Sequence, residues 1–166
     1  MQKIVLISLL SFLISCDDGD LQIDTINFDN SDAQYCNTAT TGTSIFFKIN
    51  EDEALILNLQ TGIIKNEISD GAIISTVPAQ SQITYRIFSN NVTKNYFCDA
   101  VPPITPTVLQ EINAEGGEVL VETTTTDSIT YEHRIQLSGI SLVDDSGHRI
   151  TDLRINDFGT FSTKVP

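Results

Sequence analysis

The chain has 166 residues, and its 9 basic and 22 acidic side chains give a formal net charge of −13 at pH 7. This charge excludes a protein that neutralises a nucleic-acid backbone, and it excludes a polybasic surface that binds anionic lipid. Hydrophobic residues make up 40% of the chain, which is enough to build a core, and the length suits one domain or two small ones.

The N-terminus has the pattern of an export signal. Lys3 precedes a predominantly apolar run from Ile4 to Ile14. This run is too short to cross the roughly 30 Å hydrocarbon layer as a helix, but it suits the core of a signal peptide. We therefore expect residues 1–15 to be removed, and the loss of Lys3 would take the formal charge from −13 to −14.

A short motif ends this run. Leu13-Ile14-Ser15-Cys16 resembles the lipobox of bacterial lipoproteins. The resemblance implies cleavage before Cys16, a diacylglycerol thioether on its sulfur and acylation of the new amine. Each buried acyl CH₂ contributes about 0.8 kcal/mol, so two or three chains anchor a protein firmly. The alternative is an ordinary secretory leader followed by a chance cysteine.

The stretch after the cysteine is acidic, Asp17-Asp18-Gly19-Asp20. It resembles the acidic stretch that follows the lipidated cysteine in lipoproteins of the Bacteroidetes. The resemblance implies that Asp17, Asp18 and Asp20 form a surface-export signal, so that the protein is held at the outer membrane and displayed on the cell surface. Alternatively, residues 16–20 are only a solvated tether, and the protein faces the periplasm.

The composition of the chain favours β-structure, with 22 Ile and 19 Thr against 7 Ala. No window has helical periodicity with end caps. In the first part, 21–101, a polar loop at 50–53 predicts a hairpin between two strands. The predicted strands of this part are Leu21–Phe28, Ser44–Ile49, Ala54–Leu59, Ile63-Ile64, Ala72–Val77, Ser81–Ser89 and Lys94–Cys98.

Only Cys36 and Cys98 remain after the predicted anchor. Because an exported chain meets an oxidising environment, we expect them to form a disulfide. The bond would close a loop of about 60 residues and contribute roughly 4 kcal/mol in the chain-entropy model. The alternative is two buried free thiols. A metal site is less favoured, because two cysteines and two distant histidines lack the spacing of metal ligands.

Three prolines interrupt the pattern at 102–106. Because proline cannot donate to a sheet, we interpret this segment as a connector between a first β subdomain and a second one at 107–166. The alternative is an edge crossing within one sandwich. The second part contains the predicted strands Val108–Ala114, Glu118–Thr125, Ile129–Leu137, Ile140–Val143, His148–Ile155 and Gly159–Val165. Turns are predicted between them, at Gly116-Gly117, Asp127-Ser128 and most strongly at Asp144-Asp145-Ser146-Gly147, so the sequence predicts an all-β, antiparallel, sandwich-like fold.

Few residues suggest catalysis. Period-two alternation places His133 on one strand face with Tyr131, Ile135 and Leu137, which indicates a core histidine with one hydrogen-bond partner rather than a catalytic base. His148 follows a turn and is expected to be exposed. No Gly-x-Ser-x-Gly elbow identifies a nucleophile. We therefore predict no catalytic residue and no metal ligand. Calcium is the favoured ion if one is bound, although no calcium-binding loop is present.

Carboxylates occur in pairs at three places, Glu51/Glu53, Glu118/Glu122 and Asp144/Asp145. Such pairs are common on solvated turns and outer strand faces. They also permit a second hypothesis, a small lipid-anchored hydrolase that acts on glycan or cell-wall material through paired carboxylates.

Two tripeptides, Asp24-Thr25-Ile26 and Asp127-Ser128-Ile129, resemble the O-glycosylation sites of exported Bacteroidetes proteins. The resemblance implies a sugar on Thr25 or Ser128. Ser128 is the better candidate because its predicted turn is accessible.

The body of the chain resembles no functional family. We expect a non-enzymatic binding or structural module of the envelope. A protein partner is favoured over a glycan, because the chain has no Trp and only Tyr85, Tyr96 and Tyr131 lie in predicted strands. No nucleic-acid partner is expected.

Overall fold

A computed structural model describes residues 26–147, 149–150 and 156–165. The strand pairs are all antiparallel, so the predicted all-β antiparallel class is confirmed. The elements in chain order are β1 (Ile45–Asn50), β2 (Glu53–Asn58), β3 (Ile73–Thr76), β4 (Gln82–Phe88), α1 (Lys94–Cys98), β5 (Val108–Asp127), β6 (Thr130–Val143), β7 (Arg149–Ile150) and β8 (Asp157–Lys164).

The strand β5 connects the two halves of the sheet. The strand order is β1-β2-β4-β5-β6-β7, and β3 adds to β5 while β8 adds to β6. Pairing between β5 and β4 ends at Asn113, and pairing between β5 and β6 begins at Ala114. Gly117 follows at a register shift with a φ of 119°. A Cβ there would lie 2.7 Å from the Cδ1 of Ile140, so this bend requires glycine.

The core lies between the two halves of the sheet. The middle of β6 and most of β8 alternate between buried inner and more exposed outer side chains, whereas β1 buries Phe46, Phe47 and Lys48 in succession. Phe46 of β1 packs on Phe161 of β8 with ring centroids 4.7 Å apart. The main cluster draws on both halves and includes Leu55, Leu57, Ile83, Val119, Val121, Ile135 and Phe158.

A second, smaller cluster covers the outer face of β1, β2 and β4. Phe47 points away from the main core and stacks on Phe97 of α1 at 4.4 Å. Tyr96 packs edge-on against Phe88 at 5.0 Å. Cys98, which follows Phe97, is bonded to Cys36. The predicted disulfide is therefore confirmed, and it fixes α1 against the segment that precedes β1.

Several predicted strands were wrong. Lys94–Cys98 is a one-turn helix, because packing of Tyr96 and Phe97 on the sheet overrides their β propensity. Ile26 and Phe28 are buried, as are Ile63 and Ile64, but all four lie outside the strands, since a short apolar run does not distinguish a strand from a packed loop. In the second part, the turn predicted at Gly116-Gly117 and the gap predicted between Leu137 and Ile140 fall inside the long strands β5 and β6.

The proline-rich segment 102–106 does not separate two cores. It lies outside the strands, whereas β3 and β4 before it both pair with β5 after it. Residues from both sides of the segment share the main cluster. The pairing of β3 and β4 with β5 is what the alternative of a single sandwich predicts. The prolines occupy a connection, so they cost no sheet hydrogen bonds. The ends of the predicted strands Leu21–Phe28 and His148–Ile155 lie partly outside the described residues.

Candidate functional site

Two adjoining clefts lie along the end of β2, the start of β4 and the first half of β5. Their volumes are about 390 Å³ and 650 Å³, and both are lined by Pro78 and Gln82. We call this feature the amide groove, because five carboxamide side chains line it, Asn58, Gln60, Gln80, Gln82 and Asn113.

Strand alternation places three of these amides on the outer face of the sheet. The neighbouring residues Leu57, Ile83 and Ile112 point into the core and are buried. Successive side chains of a strand point to opposite faces, so Asn58, Gln82 and Asn113 point outward. Asn58 and Gln82 face each other across β2 and β4.

Two of the carboxamides are held by their oxygen atoms. Gln80 Oε1 accepts hydrogen bonds from the backbone N–H of Thr76 at 2.9 Å and from its hydroxyl at 3.1 Å. Asn113 Oδ1 accepts the hydroxyl of Thr84 at 2.8 Å. These bonds assign the amide orientation and leave both NH₂ groups as donors. Neither NH₂ group has a partner among the described residues.

Gln82 is held in the opposite sense. Its Nε2 donates to the backbone oxygen of Ile83 at 2.8 Å and to that of Ala114 at 3.4 Å. Its Oε1 therefore remains as an acceptor, with no donor bound to it in the part of the chain that is described. The groove thus offers fixed donors beside a fixed acceptor.

Three carboxylates complete the lining of the groove: Glu111, Glu115 and Asp145. Arg86 Nε lies 2.6 Å from Glu111 Oε2, so one of these charges is balanced. The other predicted pairs lie elsewhere. Glu51 and Glu53 belong to the β1–β2 hairpin, and Glu53 Oε1 accepts the hydroxyl of Tyr85 at 2.7 Å. Glu118 and Glu122 lie on β5.

A separate cleft of about 370 Å³ contains a buried amine. Lys48 is only 6% exposed, and Asp29, Asp32 and Asp157 line the same cleft. Its Nζ donates to the backbone oxygen of Asp157 at 3.5 Å and makes no ion pair within the described ranges. Burial lowers the pKa of Lys48, and the charges of Asp157, Asp29 and Asp32 oppose this shift in part.

His133 is sealed in the core, as expected, but it has two partners rather than one. Its Nδ1 lies 2.8 Å from Thr123 Oγ1, and its Nε2 lies 2.7 Å from Thr163 Oγ1. Thr163 donates its own proton to Asn66 Oδ1 at 2.5 Å, so it accepts the Nε2 proton of a neutral imidazole. Burial lowers the pKa of His133. Because the ring is fully buried, it cannot reach a substrate.

A run of exposed apolar side chains lies in and beside the proline-rich connection. Val101 is 83% exposed, Ile104 is 92% exposed and Leu109 at the start of β5 is 67% exposed. We call residues 101–109 the apolar segment. Large apolar side chains that cluster in solvent commonly mark an interaction surface.

Most of the sequence-predicted modification sites lie outside the described residues, namely Cys16, Asp17, Asp18, Asp20 and Thr25, and so does His148. Ser128 is exposed in the turn between β5 and β6. The Asp127 carboxylate beside it accepts the backbone N–H groups of Ile129 and Thr130 and holds this turn. These bonds lower the pKa of Asp127.

Sequence reasoning missed the amide groove and Lys48. Gln80 and Gln82 are two positions apart. This spacing places both amides on one face only in an extended segment, and the sequence does not show that this segment is extended. Lys48 had a clearer signal, since it is the only charged residue in the apolar strand Ile45–Asn50.

Comparisons with known proteins found no matching family model, no matching curated protein and no matching solved structure. Among the described residues, no helix is both long and apolar enough to cross a membrane. The same part of the chain contains no group of three or more His, Cys, Asp or Glu side chains placed to hold a metal ion.

Proposed function

We propose that this chain is a lipid-anchored protein of the outer membrane, displayed on the cell surface, whose sandwich is a non-enzymatic module that binds a protein partner. The observation that carries the proposal is the apolar segment. Four large apolar side chains, Val101, Ile104, Val108 and Leu109, are exposed within nine residues.

The backbone of the apolar segment suits an interface. Three prolines limit its conformations, so ordering it on binding costs less entropy than ordering a flexible loop. Burying side chains of this size supplies the apolar area that the centre of an interface needs. The sealed position of His133 supports a role without acid–base catalysis, because its two ring nitrogens already bind Thr123 and Thr163.

Site-specific photo-crosslinking in intact cells tests the partner. A crosslinking amino acid in place of Ile104 should capture one discrete protein. The same amino acid in place of Ile129, an exposed apolar residue in the β5–β6 turn, is the matched control and should not capture it. A second substitution, Leu109→Asp, should abolish the adduct formed from position 104. Identical adducts from positions 104 and 129, or none from either, would contradict the proposal.

The anchor and the export signal have separate tests. Cys16→Ala should move the protein from the membrane fraction to the soluble fraction, and retention in the membrane would contradict lipidation. Replacing Asp17, Asp18 and Asp20 by Ala should reduce the protease accessibility of the protein on intact cells while leaving it in the membrane fraction. Unchanged accessibility would contradict the export signal and favour the alternative that residues 16–20 are only a tether.

One observation favours the second hypothesis, a hydrolase. Glu111, Glu115 and Asp145 line the same cleft, so carboxylates do meet at a concave surface. Glu115→Gln and Asp145→Asn should then each abolish release of reducing ends from glycan or cell-wall material. Glu122→Gln, on the same strand but not among the residues that line the groove, is the control. No turnover by the unmodified protein on a broad panel would reject this hypothesis.

A further inference from the structure

We infer that the amide groove is a binding site for an uncharged oligosaccharide. The inference goes beyond the proposed protein partner and does not depend on it, because different residues carry the two. It rests on the shape of the groove, on the orientation of its carboxamides and on its charge.

The shape fits an extended ligand. Pro78 and Gln82 line both clefts, whose volumes are about 390 Å³ and 650 Å³, and the pair extends from the turns that follow β2 and β3 to the end of β6. A cleft of a few hundred Å³ accommodates a ligand of small-molecule size. Two adjoining clefts of this size therefore have room for more than one sugar ring.

The orientation of the carboxamides matches sugar hydroxyls. Gln80 and Asn113 present donors because Thr76 and Thr84 occupy their oxygens, while Gln82 presents an acceptor. A sugar hydroxyl both donates and accepts a hydrogen bond, so neighbouring hydroxyls can satisfy a mixed set of this kind. Because the protein already holds each amide by its other end, ligand binding costs little side-chain entropy.

The charge of the groove selects against acidic sugars. Glu115 and Asp145 line it, while Glu111 is paired with Arg86. A uronic acid would bring a further negative charge beside these carboxylates, which costs binding free energy. A neutral sugar carries no charge for these carboxylates to repel, so the groove favours it over an acidic one.

A peptide is the competing occupant, and the geometry disfavours it. An extended peptide usually binds by adding a strand to an unpaired sheet edge. The groove lies instead across the outer face and the strand ends, where β2 is paired with both β1 and β4, and β4 with both β2 and β5. Recognition must come from side chains, and among the described residues no aromatic side chain lines either cleft. The affinity should therefore be modest, with a Kd of about 0.1–1 mM.

The test is a titration of the full-length protein by calorimetry and by saturation-transfer NMR. The probes are cellohexaose, xylohexaose, mannohexaose and maltohexaose, with hexagalacturonate as the acidic comparator and a glycine–serine peptide as the competing occupant. At least one neutral hexasaccharide should bind, and hexagalacturonate and the peptide should bind more weakly. No binding of any neutral probe up to about 10 mM, some 10- to 100-fold above the expected Kd, would overturn the inference. Tighter binding of hexagalacturonate or the peptide would also overturn it.

Two variants connect binding to the groove and leave the fold intact. Gln80→Glu and Asn113→Asp each keep the oxygen that accepts a hydrogen bond from Thr76 or Thr84 and remove the NH₂ donors. Each should weaken binding about threefold to tenfold, the range expected for one lost neutral hydrogen bond. The matched control is Asn90→Asp, which makes the same charge change beyond the far end of β4 and should leave binding unchanged. Wild-type affinity in both groove variants would overturn the inference.

Discussion

The ring of Phe46 packs directly on the ring of Phe161, with their centroids 4.7 Å apart. The two residues belong to β1 and β8, strands that are distant in the sheet and do not pair with each other. Their contact joins the inner faces of the two halves of the sheet. Both side chains are buried, so the contact contributes through apolar burial as well as through ring geometry.

Removing one ring should therefore destabilise the whole sandwich. We expect Phe161→Ala to lower the free energy of unfolding by about 3–5 kcal/mol, because it leaves a cavity that rigid strands cannot close. Urea denaturation followed by circular dichroism measures the change. Ile68→Ala, at an exposed apolar residue, is the control and should shift the midpoint little. Comparable losses in both variants would show that the Phe46–Phe161 contact is not central to the core.

The buried His133 should make the protein sensitive to mild acid. Burial lowers its folded-state pKa below the ordinary value of 6.5, so between these two values the unfolded chain binds more protons than the folded one. Stability is therefore complete above pH 6.5 and falls as the pH drops below it, by up to about 1.4 kcal/mol per pH unit.

Unfolding free energies measured from pH 7.5 to 5 check this prediction against His133→Gln. The variant should be less stable at neutral pH. Its free energy of unfolding should fall less steeply between pH 6.5 and 5, because the contribution of His133 is missing. His148 is present in both proteins, so its contribution cancels in the difference. Parallel pH profiles for the two proteins would refute the assignment to His133.

The Cys36–Cys98 bond closes a loop with a sequence separation of 62 and holds α1 on the sheet. Replacing both cysteines by Ala should cost about 2–5 kcal/mol of stability, since the unfolded chain regains the freedom of this loop. Thermal unfolding with and without reductant provides the measurement. Reductant should lower the Tm of the parent protein toward that of the double variant and leave the variant unchanged. Efficient alkylation of both thiols in the native, unreduced protein would exclude the bond.

Gly159 permits a close approach between β8 and the segment that precedes β1. Its φ is 147°, and an added Cβ would lie 2.5 Å from the Cβ of Ala33. Gly159→Ala should therefore cost about 3 kcal/mol, from an unfavourable backbone conformation and from displacement of the segment. Gly71→Ala is the matched control, because its φ of 82° carries the backbone cost alone and no atom lies within 4 Å. It should cost about 1 kcal/mol in the same urea titration. Equal losses would remove the steric part of the argument.

Lys48 is expected to reduce stability. Its lowered pKa means that its charge is less favourable in the folded protein than in the unfolded chain, and burial is the main cause. Lys48→Met keeps the length of the side chain and removes the charge, so the free energy of unfolding should rise by about 1–2 kcal/mol. Lys65→Met, at an exposed lysine, should change stability little. A large loss of stability in Lys48→Met would show that the three surrounding aspartates compensate the buried charge.

Local patterns predicted the elements that repeat with period two. Residues 81–89 alternate clearly, and β4 occupies most of that range with Ile83 and Tyr85 buried. The hairpin around Glu51 and Asp52 and the disulfide were also predicted correctly. The helix at Lys94–Cys98 was not, because five residues carry too little periodicity to oppose the β propensity of Tyr96 and Phe97.

The sequence by itself predicted the β class and the burial of His133 from residue type and local alternation. It predicted the Cys36–Cys98 bond because only these two cysteines follow the predicted anchor. The expectation of a signal peptide and a lipidated Cys16 comes from the sequence as well. Only the tertiary structure decided that residues on both sides of 102–106 share one core and that Gln80, Gln82 and Asn113 line one groove. The physical reason is that strand pairing brings together residues more than 30 positions apart, and no local pattern records which strands will meet.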